Sequence, residues 1–519
     1  MVIVKENIKM KQKIKNGISY FLWFLMIVIV VSSSWLVNQF GTSDFEQYLY
    51  HLFGPKLGSN NDIFLLYFKQ TFPTIIGVFV VILVVYFIIR NYFAPVRSYL
   101  LICFRNQKKK ILIPDFSFLS KHILPISFLV LLLVCYSSLK EIGFVDYVLD
   151  KSNYSQIYED YYVEPTSSVL SFPEKKRNLI LIYVESLENS YTVTMNDGNE
   201  KVNIIPKLTE IADKNINFSN SEELGGAYPV PGTGWTVAGI FSSMSGLPLT
   251  ANMDYNTEEK YNSFMPGATI LGDILKEEGY NQKFILGSSI EFANKNTLFE
   301  EHGNYEILDY LKAKEAGLIP GDYRVWWGYE DSKVFEYAKD SLLELSSKEE
   351  PFNLTILTSN THFVGGYLED SCSSVFEDAY SNSILCFDSM IGNFISWIEE
   401  QDFYDNTTIV ITGDHLTMDQ IWAQTLVGDS YERTIFNTFI NSTISPVETQ
   451  NRVFTQLDLF PTILASMGAE IDGERLGLGT NLFSDTPTLA EELGFQYFYD
   501  QLSMNSRYYN NHFVYDILD

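Results

Sequence analysis

Three long apolar stretches dominate the first 140 residues: Ile18–Phe40, Phe72–Ile89 and Ile123–Leu139, none holding a charged side chain. Each approaches the roughly 20 residues that a helix needs to cross a bilayer, so three spans are predicted. The first is too long for a signal-peptide core and two more follow it, which makes it an uncleaved anchor. Beyond residue 177 the pattern changes to short β-branched runs alternating with amphipathic stretches. Asn178–Val184, Gln282–Leu286, Phe352–Leu357 and Thr407–Thr412 are predicted as buried strands. Ile205–Asp213, Thr269–Glu278, Ser332–Leu345, Ala379–Glu400 and Thr455–Met467 are predicted as helices, the last stopped by Gly468. That alternation implies an α/β domain, a mostly parallel sheet with helices on both faces. The expected organisation is an anchor at 1–140, a tyrosine-rich connector at 141–177 and a domain at 178–519.

Charge adds a direction. Lys5, Lys9, Lys11, Lys13 and Lys15 precede the first span, and Arg90, Arg97, Arg105, Lys108, Lys109, Lys110 and Lys121 lie between the second and third. The loop at 41–71 has only Lys56 and Lys69. The positive-inside rule then puts the N-terminus and the 90–122 loop in the cytoplasm and everything after about residue 140 outside. Residues 1–121 carry 14 Lys/Arg against 5 Asp/Glu, whereas residues 122–519 carry 22 against 59. So acidic a domain excludes nucleic acid as a partner, and an anionic substrate there needs a metal or local dipoles. Cys372 and Cys386, 14 residues apart in the exterior domain, are expected to form a disulfide, while Cys103 and Cys135 remain thiols.

Candidate chemistry collects at strand ends. Ligands in open α/β sheets bind beyond the carboxyl ends of the strands. Glu185 follows the strand NLILIYV directly, His362 falls five residues after LTILT, and Asp414 and His415 follow TTIVIT after one glycine. Thr233 lies in a proline- and glycine-rich turn, Pro-Val-Pro-Gly-Thr-Gly-Trp-Thr (229–236), just ahead of a helical segment. Two carboxylates, an imidazole and a hydroxyl at one sheet edge suit a hard-to-borderline divalent metal. Read singly, each has a plainer meaning: a helix cap for Thr233 or Glu185, an Asx-turn for Asp414, a loop histidine for His362. Thr236, inside the first helical turn, is the competing hydroxyl.

Six short motifs in order resemble the alkaline-phosphatase/sulfatase superfamily, and within it the membrane-anchored phosphoglycerol transferases and lipoteichoic acid synthases. They are Leu-Ile-Tyr-Val-Glu-Ser (181–186), Gly-Thr-Gly-Trp-Thr (232–236) with Ser-Gly-Leu-Pro-Leu (245–249), Asn-Thr-His (360–362), Gly-Asp-His-Leu (413–416), Leu-Asp-Leu-Phe-Pro-Thr (457–462) and Gly-Leu-Gly-Thr-Asn-Leu-Phe (477–483). The resemblance implies that Glu185, Thr233, Asp414 and His415 bind one divalent metal, usually Mn2+, with Mg2+ or Zn2+ as alternatives. It further implies Thr233 as nucleophile and His362 as the residue that binds the phosphoglycerol group and serves its oxygens. Asn294 and His302 fall in a segment where such enzymes approach the head group. Trp327 and Arg324 are candidates for the cleft, with packing and a carboxylate partner as their respective alternatives. The implied reaction moves glycerol phosphate from phosphatidylglycerol to an envelope glycan or polymer through a phosphothreonine-type intermediate. The implied location is the bacterial cytoplasmic membrane, multi-pass, with the catalytic domain extracytoplasmic. Phosphoethanolamine transfer, sulfate ester hydrolysis and phosphodiester hydrolysis are the alternatives on the same fold. The Cys/Ser-x-Pro-x-Arg pattern of sulfatases is missing around Thr233, and the sparse histidines count against the ethanolamine branch.

Overall fold

The computed structural model describes residues 2–41, 45–53, 62–89, 99–104, 107–112, 122–195, 200–250, 263–428 and 431–515. The apolar N-terminal sequence folds into α1 (Val2–Phe40), α2 (Phe45–Phe53), α3 (Asp62–Ile88) and α4 (Ile123–Glu141). Within them Lys13–Phe40, Leu65–Ile88 and Ile123–Glu141 are long and apolar enough to cross a membrane. Arg90, Arg97, Arg105 and Lys121, on which the expected orientation partly rests, lie outside the described residues, as does Lys56. The chain divides into two units: α1, α3 and α4 fall in the first, and α2 joins residues 147–519 in the second. In the first unit Trp23 Nε1 donates to Ser127 Oγ (2.8 Å) and Trp35 Nε1 to Gln70 Oε1 (2.7 Å). Those bonds tie α1 to α4 and α3 and satisfy polar groups on otherwise apolar helices.

The second unit is built on a seven-stranded sheet. In chain order its strands are β1 (Asn178–Val184), β2 (Gly226–Ala227), β3 (Asn281–Leu286), β4 (Glu306–Leu308), β5 (Phe352–Leu357), β6 (Thr407–Gly413) and β7 (Ile435–Ile440). Their spatial order is β2-β7-β6-β1-β5-β3-β4. The run β6-β1-β5-β3-β4 is parallel throughout, while β7 is antiparallel to β6 and β2 to β7. The four strands expected from sequence are thus the centre of the sheet. β1, β5 and β6 are buried at every residue, which is why each reads as a continuous apolar or β-branched run. β7 escaped notice because Asn437 and Thr438 interrupt its apolar pattern. Asn437 uses its amide to pair with the backbone of Phe218 instead.

Helices cover both faces: α5 (Pro206–Lys214), α6 (Thr236–Ser245), α7 (Leu271–Glu277), α8 (Lys295–Glu301), α9 (Asp331–Ser346), α10 (Ala379–Glu399) and α11 (Leu459–Ser466). Ile384, Phe387, Ile391 and Phe394 of α10 and Val334, Phe335 and Leu342 of α9 join Ile180 and Ile182 of β1 in one core. The steps of three and four residues among those of α10, and of seven between Phe335 and Leu342 of α9, are what made both helices legible. The segment expected as one helix over Thr455–Met467 starts as a 3-10 turn, because Thr455 and Asp458 close a capping box, and then continues as α11. Cys372 and Cys386 form a disulfide, with Cα atoms 5.8 Å apart, joining the loop before α10 to its first turns.

A buried ion pair pins the loop after β1. Arg433 donates through Nε to Glu188 Oε1 (2.7 Å) and through Nη2 to the Thr417 carbonyl (2.8 Å), while Thr417 N donates to Glu188 Oε2 (2.9 Å). Arg433→Ala leaves a fully buried carboxylate without its cation. It is expected to cost about 3–5 kcal/mol, read as a lower urea midpoint at unchanged slope.

Candidate metal centre and active site

Strand register brings the site together. Val184 pairs with Gly413 and Tyr183 with Leu357, so three chains leave the sheet at one level, as Glu185, Thr358 and Asp414. Ser186, a non-glycine residue at φ 59°, turns the chain sharply after β1 and donates its N–H to Asp414 Oδ1 (2.8 Å). The same oxygen accepts the His415 N–H (2.9 Å), and Thr361 Oγ1 donates to the Glu185 carbonyl (2.6 Å). Loop polar groups, rather than ordered helix or strand, therefore set the positions of the charged side chains.

Glu185, Asp414 and His415 are buried and each presents a ligand atom within 4.8 Å of the others. His415 Nε2 lies 3.4 Å from Glu185 Oε1 and 3.4 Å from Asp414 Oδ2. Its Nδ1 is 2.7 Å from the Leu416 carbonyl, so Nδ1 carries the proton and Nε2 offers its lone pair to the cluster. Asp414 Oδ2 is buried and has no hydrogen-bond partner among the described residues. Burial, followed by the neighbouring Glu185 charge, pushes the Asp414 carboxyl up. Burial works the same way on Glu185, but His362 and His415 outweigh it and hold that carboxyl low. For His415 burial is opposed by Asp414 and Glu185, with a net rise. An orphaned carboxylate oxygen facing a second carboxylate and an imidazole is costly unless a cation sits among them. The donor set fits a divalent metal ion.

Two hydroxyls meet this cluster: Ser186 Oγ donates to Glu185 Oε1 (2.7 Å), and that of Thr236 reaches both Glu185 and His415. As the first residue of α6, Thr236 places Oγ1 3.3 Å from Glu185 Oε2 and 3.4 Å from His415 Nε2, and it is half-buried. The expectation for Thr233 is corrected. Its hydroxyl donates to the Val230 carbonyl (2.8 Å) and accepts the Val230 N–H (3.1 Å), closing the turn, and the residue is wholly buried. α6 itself lies hard against the metal loop: a Cβ on Gly239 would stand 1.8 Å from the Asp414 carbonyl, which also accepts from Gln456 Nε2 (2.6 Å). Gly239→Ala must therefore push α6 away from Asp414. Expected is a loss of metal affinity of at least about tenfold, measured by calorimetric titration of manganese.

His362 sits on the loop after β5, half-buried, with the Trp327 ring 4.7 Å away. Its Nδ1 pairs with the Phe363 carbonyl, and burial lowers the pKa of the ring against the raising pull of Glu185. Asp331 holds that loop by accepting from Ser359 N (2.8 Å) and Asn360 N (2.9 Å). Trp327 Nε1 is buried without a hydrogen-bond partner among the described residues, while Trp326 Nε1 donates to the Ser359 carbonyl (3.2 Å). Arg324 is exposed and enters no ion pair among the described residues.

The expectation for His302 is also corrected. Its Nδ1 is 2.7 Å from Asp273 and its Nε2 2.6 Å from the Phe264 carbonyl, so neither nitrogen is left for a substrate. Asn294 is buried and accepts from Thr297 Oγ1 (2.7 Å), as a residue opening α8. In that segment Lys295 is also buried, and burial lowers its ammonium to about 8 against the pull of Glu185, Asp414 and Asp309.

A carboxylate–imidazole cluster beyond the carboxyl edge of a mostly parallel sheet, with a hydroxyl on the adjoining helix, defines an α/β protein with a centre suited to a metal. The chain belongs to the sulfatase family, whose profile matches residues 177–469. It is 30% identical over 370 residues to phosphoglycerol transferase I of Xanthomonas axonopodis pv. citri (strain 306), covering 67% of this chain and 51% of that protein. To the protein of the same name from Escherichia coli (strain SMS-3-5 / SECEC) it is 32% identical over 264 residues, covering 50% of this chain and 33% of that one. The chain thus spans about half the length of the first of these relatives and a third of the second. Among solved structures, the lipoteichoic acid synthase LtaP from Listeria monocytogenes matches 61% of this chain and 78% of its own at TM-score 0.47 and 15% identity.

Proposed function

We propose that this protein transfers glycerol phosphate from phosphatidylglycerol to a hydroxyl of an envelope glycan or polymer on the outer side of the bacterial cytoplasmic membrane. The observation that carries the reading is Thr236 Oγ1, 3.3 Å from Glu185 Oε2 and 3.4 Å from His415 Nε2, in a chain similar to phosphoglycerol transferases. Glu185, Asp414, His415 and Thr236 would hold a divalent metal, manganese by resemblance, which would supply positive charge to acidify a hydroxyl and offset charge on phosphoryl oxygens. Thr236 Oγ1 attacks phosphorus, forming a threonine O–P bond as the bond to the diacylglycerol oxygen breaks. The departing oxygen takes a proton and leaves as diacylglycerol. An acceptor hydroxyl then attacks the same phosphorus, and Thr236 regains its proton. His362, neutral and with Nε2 carrying the lone pair, moves the proton between the alcohols. Trp327 lies over His362 and offers its unsatisfied Nε1–H to the bound glycerol phosphate. Three spans tether the reaction to its lipid donor, with the N-terminus cytoplasmic.

The test is incubation of the full chain in mixed micelles with fluorescent phosphatidylglycerol and manganese. Diacylglycerol is the expected product. Its absence rejects the reading, and release from phosphatidylethanolamine alone assigns the protein to the ethanolamine branch.

A further inference from the structure

The three spans of the first unit leave an apolar cavity of about 560 Å3 between them. Ile27 and Val31 of α1, Val78 and Ile82 of α3, and Val130 and Val134 of α4 form its wall. Trp23 and Ser127 also line it, but their polar groups are already paired. Trp23 Nε1 donates to Ser127 Oγ (2.8 Å), and Ser127 Oγ donates to the Ile123 carbonyl (2.7 Å). A cavity with such a wall has no polar partners for water and gains contacts only from an apolar occupant. Another helix is too wide, at about 10–12 Å, and packs closely against small residues, whereas this wall is branched and aromatic. A lipid chain is thin and flexible enough to enter.

The cavity lies in one half of the bilayer. Trp23 faces Tyr86 (ring centres 5.0 Å apart) and Ser127, whereas farther along α1 Trp35 faces Tyr67 (5.1 Å) and Ser33 Oγ donates to Ser138 Oγ (3.0 Å). So α1 and α4 run parallel, α3 runs against them, and the wall sits at the end of each span that carries Trp23, Tyr86 or Ser127. At that end Tyr20, Trp23 and Tyr86 pack as a trio, with ring centres 5.5, 5.8 and 5.0 Å apart. Tyrosine and tryptophan collect where hydrocarbon meets head groups, and Trp23 and Tyr86 are themselves wall residues. The cavity thus starts at head-group level and reaches inward to Val31, about 12 Å along α1 from Trp23. Lys13 continues the same face of α1, seven residues before Tyr20 and fourteen before Ile27, with Lys15 close by. Both lysines are exposed and make no ion pair among the described residues.

We propose that this cavity seats an acyl chain of an anionic phospholipid, with the head group at the level of Tyr20, Trp23 and Tyr86 and its charge held by Lys13 and Lys15. The site uses no residue of the carboxylate–imidazole cluster and stands or falls apart from the transfer reaction. The test places the full chain in phosphatidylcholine vesicles with a rising fraction of phosphatidylserine whose acyl chains are brominated, since bromine quenches a tryptophan that it touches. Phosphatidylserine is anionic but is not the donor proposed above, so turnover does not intrude. The fluorescence lost by the wild type beyond that lost by Trp23→Phe reports Trp23. Quenching of Trp23 is expected to saturate, and at a fraction of lipid at least about tenfold lower than brominated phosphatidylcholine requires. Lys13→Gln combined with Lys15→Gln should abolish most of that difference, as should high salt. Ile27→Phe, which fills the cavity, should leave Trp23 unquenched at the low fraction. Equal quenching by the two brominated lipids overturns the proposal, as does a dimer of the chain that shields Trp23 from both. Should Trp23→Phe fail to fold, mass spectrometry of lipid retained by the purified chain replaces it. Equal retention of the two lipids by the wild type, or undiminished phosphatidylserine on the double lysine variant, then overturns the proposal.

Discussion

Thr236→Ala is expected to lower diacylglycerol release about a thousandfold or more while the protein stays folded. The reason is geometric: Thr236 Oγ1 is the hydroxyl that touches Glu185 and His415, and its removal leaves no oxygen to form the covalent intermediate. Thr236→Ser keeps an oxygen at the head of α6 and should retain measurable turnover. Thr233→Ala makes the contrast. It deletes the bonds between Oγ1 and Val230, costs about 1 kcal/mol of stability, and is expected to reduce turnover less than about tenfold. Peptide mass spectrometry after a short incubation with phosphatidylglycerol should find glycerol phosphate on the peptide containing Thr236, and the adduct should persist through Thr233→Ala. Loss of activity in Thr233→Ala with full activity in Thr236→Ala would reverse the assignment.

Removal of the divalent cation is expected to abolish turnover, with manganese restoring it. The effect should carry a definite pH dependence. Without metal, the Asp414 carboxyl is pushed up to about 7 by burial and by Glu185, so below that pH it holds a proton that a metal must expel. Manganese affinity should therefore rise by at least about tenfold per unit from pH 5 toward 7 and flatten above it. The stability of the metal-free protein runs the other way. A carboxyl raised in the folded state above its unfolded value of 3.8 binds more protons folded than unfolded across that window, so stability falls as pH climbs toward 7. Asp414→Asn keeps an acceptor for Ser186 N and His415 N but cannot ionise. Its metal-free Tm at pH 8 should exceed that of the wild type, and manganese should no longer raise it. At a hundred times Kd the wild type should gain about 2.7 kcal/mol. Equal manganese-induced shifts in the wild type and Asp414→Asn would remove Asp414 from the centre.

The three apolar runs, the four central strands and the pairing of Glu185 with Asp414-His415 at strand ends were all legible, because each is written in residues adjacent along the chain. Burial on both faces forces a strand such as NLILIYV to be apolar throughout, and a parallel sheet places the ends of such strands side by side. His302 shows the limit. A histidine beside a glycine, in a segment expected near the head group, reads as a ligand until Asp273 and the Phe264 carbonyl are found on its two nitrogens.

The choice between Thr233 and Thr236 was of the same kind. Both lie in one glycine-rich turn, three residues apart, and local chemistry allows either to cap or to react. What separates them is the direction in which α6 leaves the turn, and that follows from Gly239 seating the helix against the Asp414 carbonyl. Tyr50 and Ala293, 243 residues apart, carry no mutual signal at all until the Tyr50 hydroxyl of α2 donates to the Ala293 carbonyl. By itself the amino-acid order determined the elements and the kinds of ligand they could bring, since periodicity and residue type are local properties. Tertiary packing alone decided which of the two threonines meets the carboxylate and the imidazole, because that depends on contacts that no stretch of sequence contains.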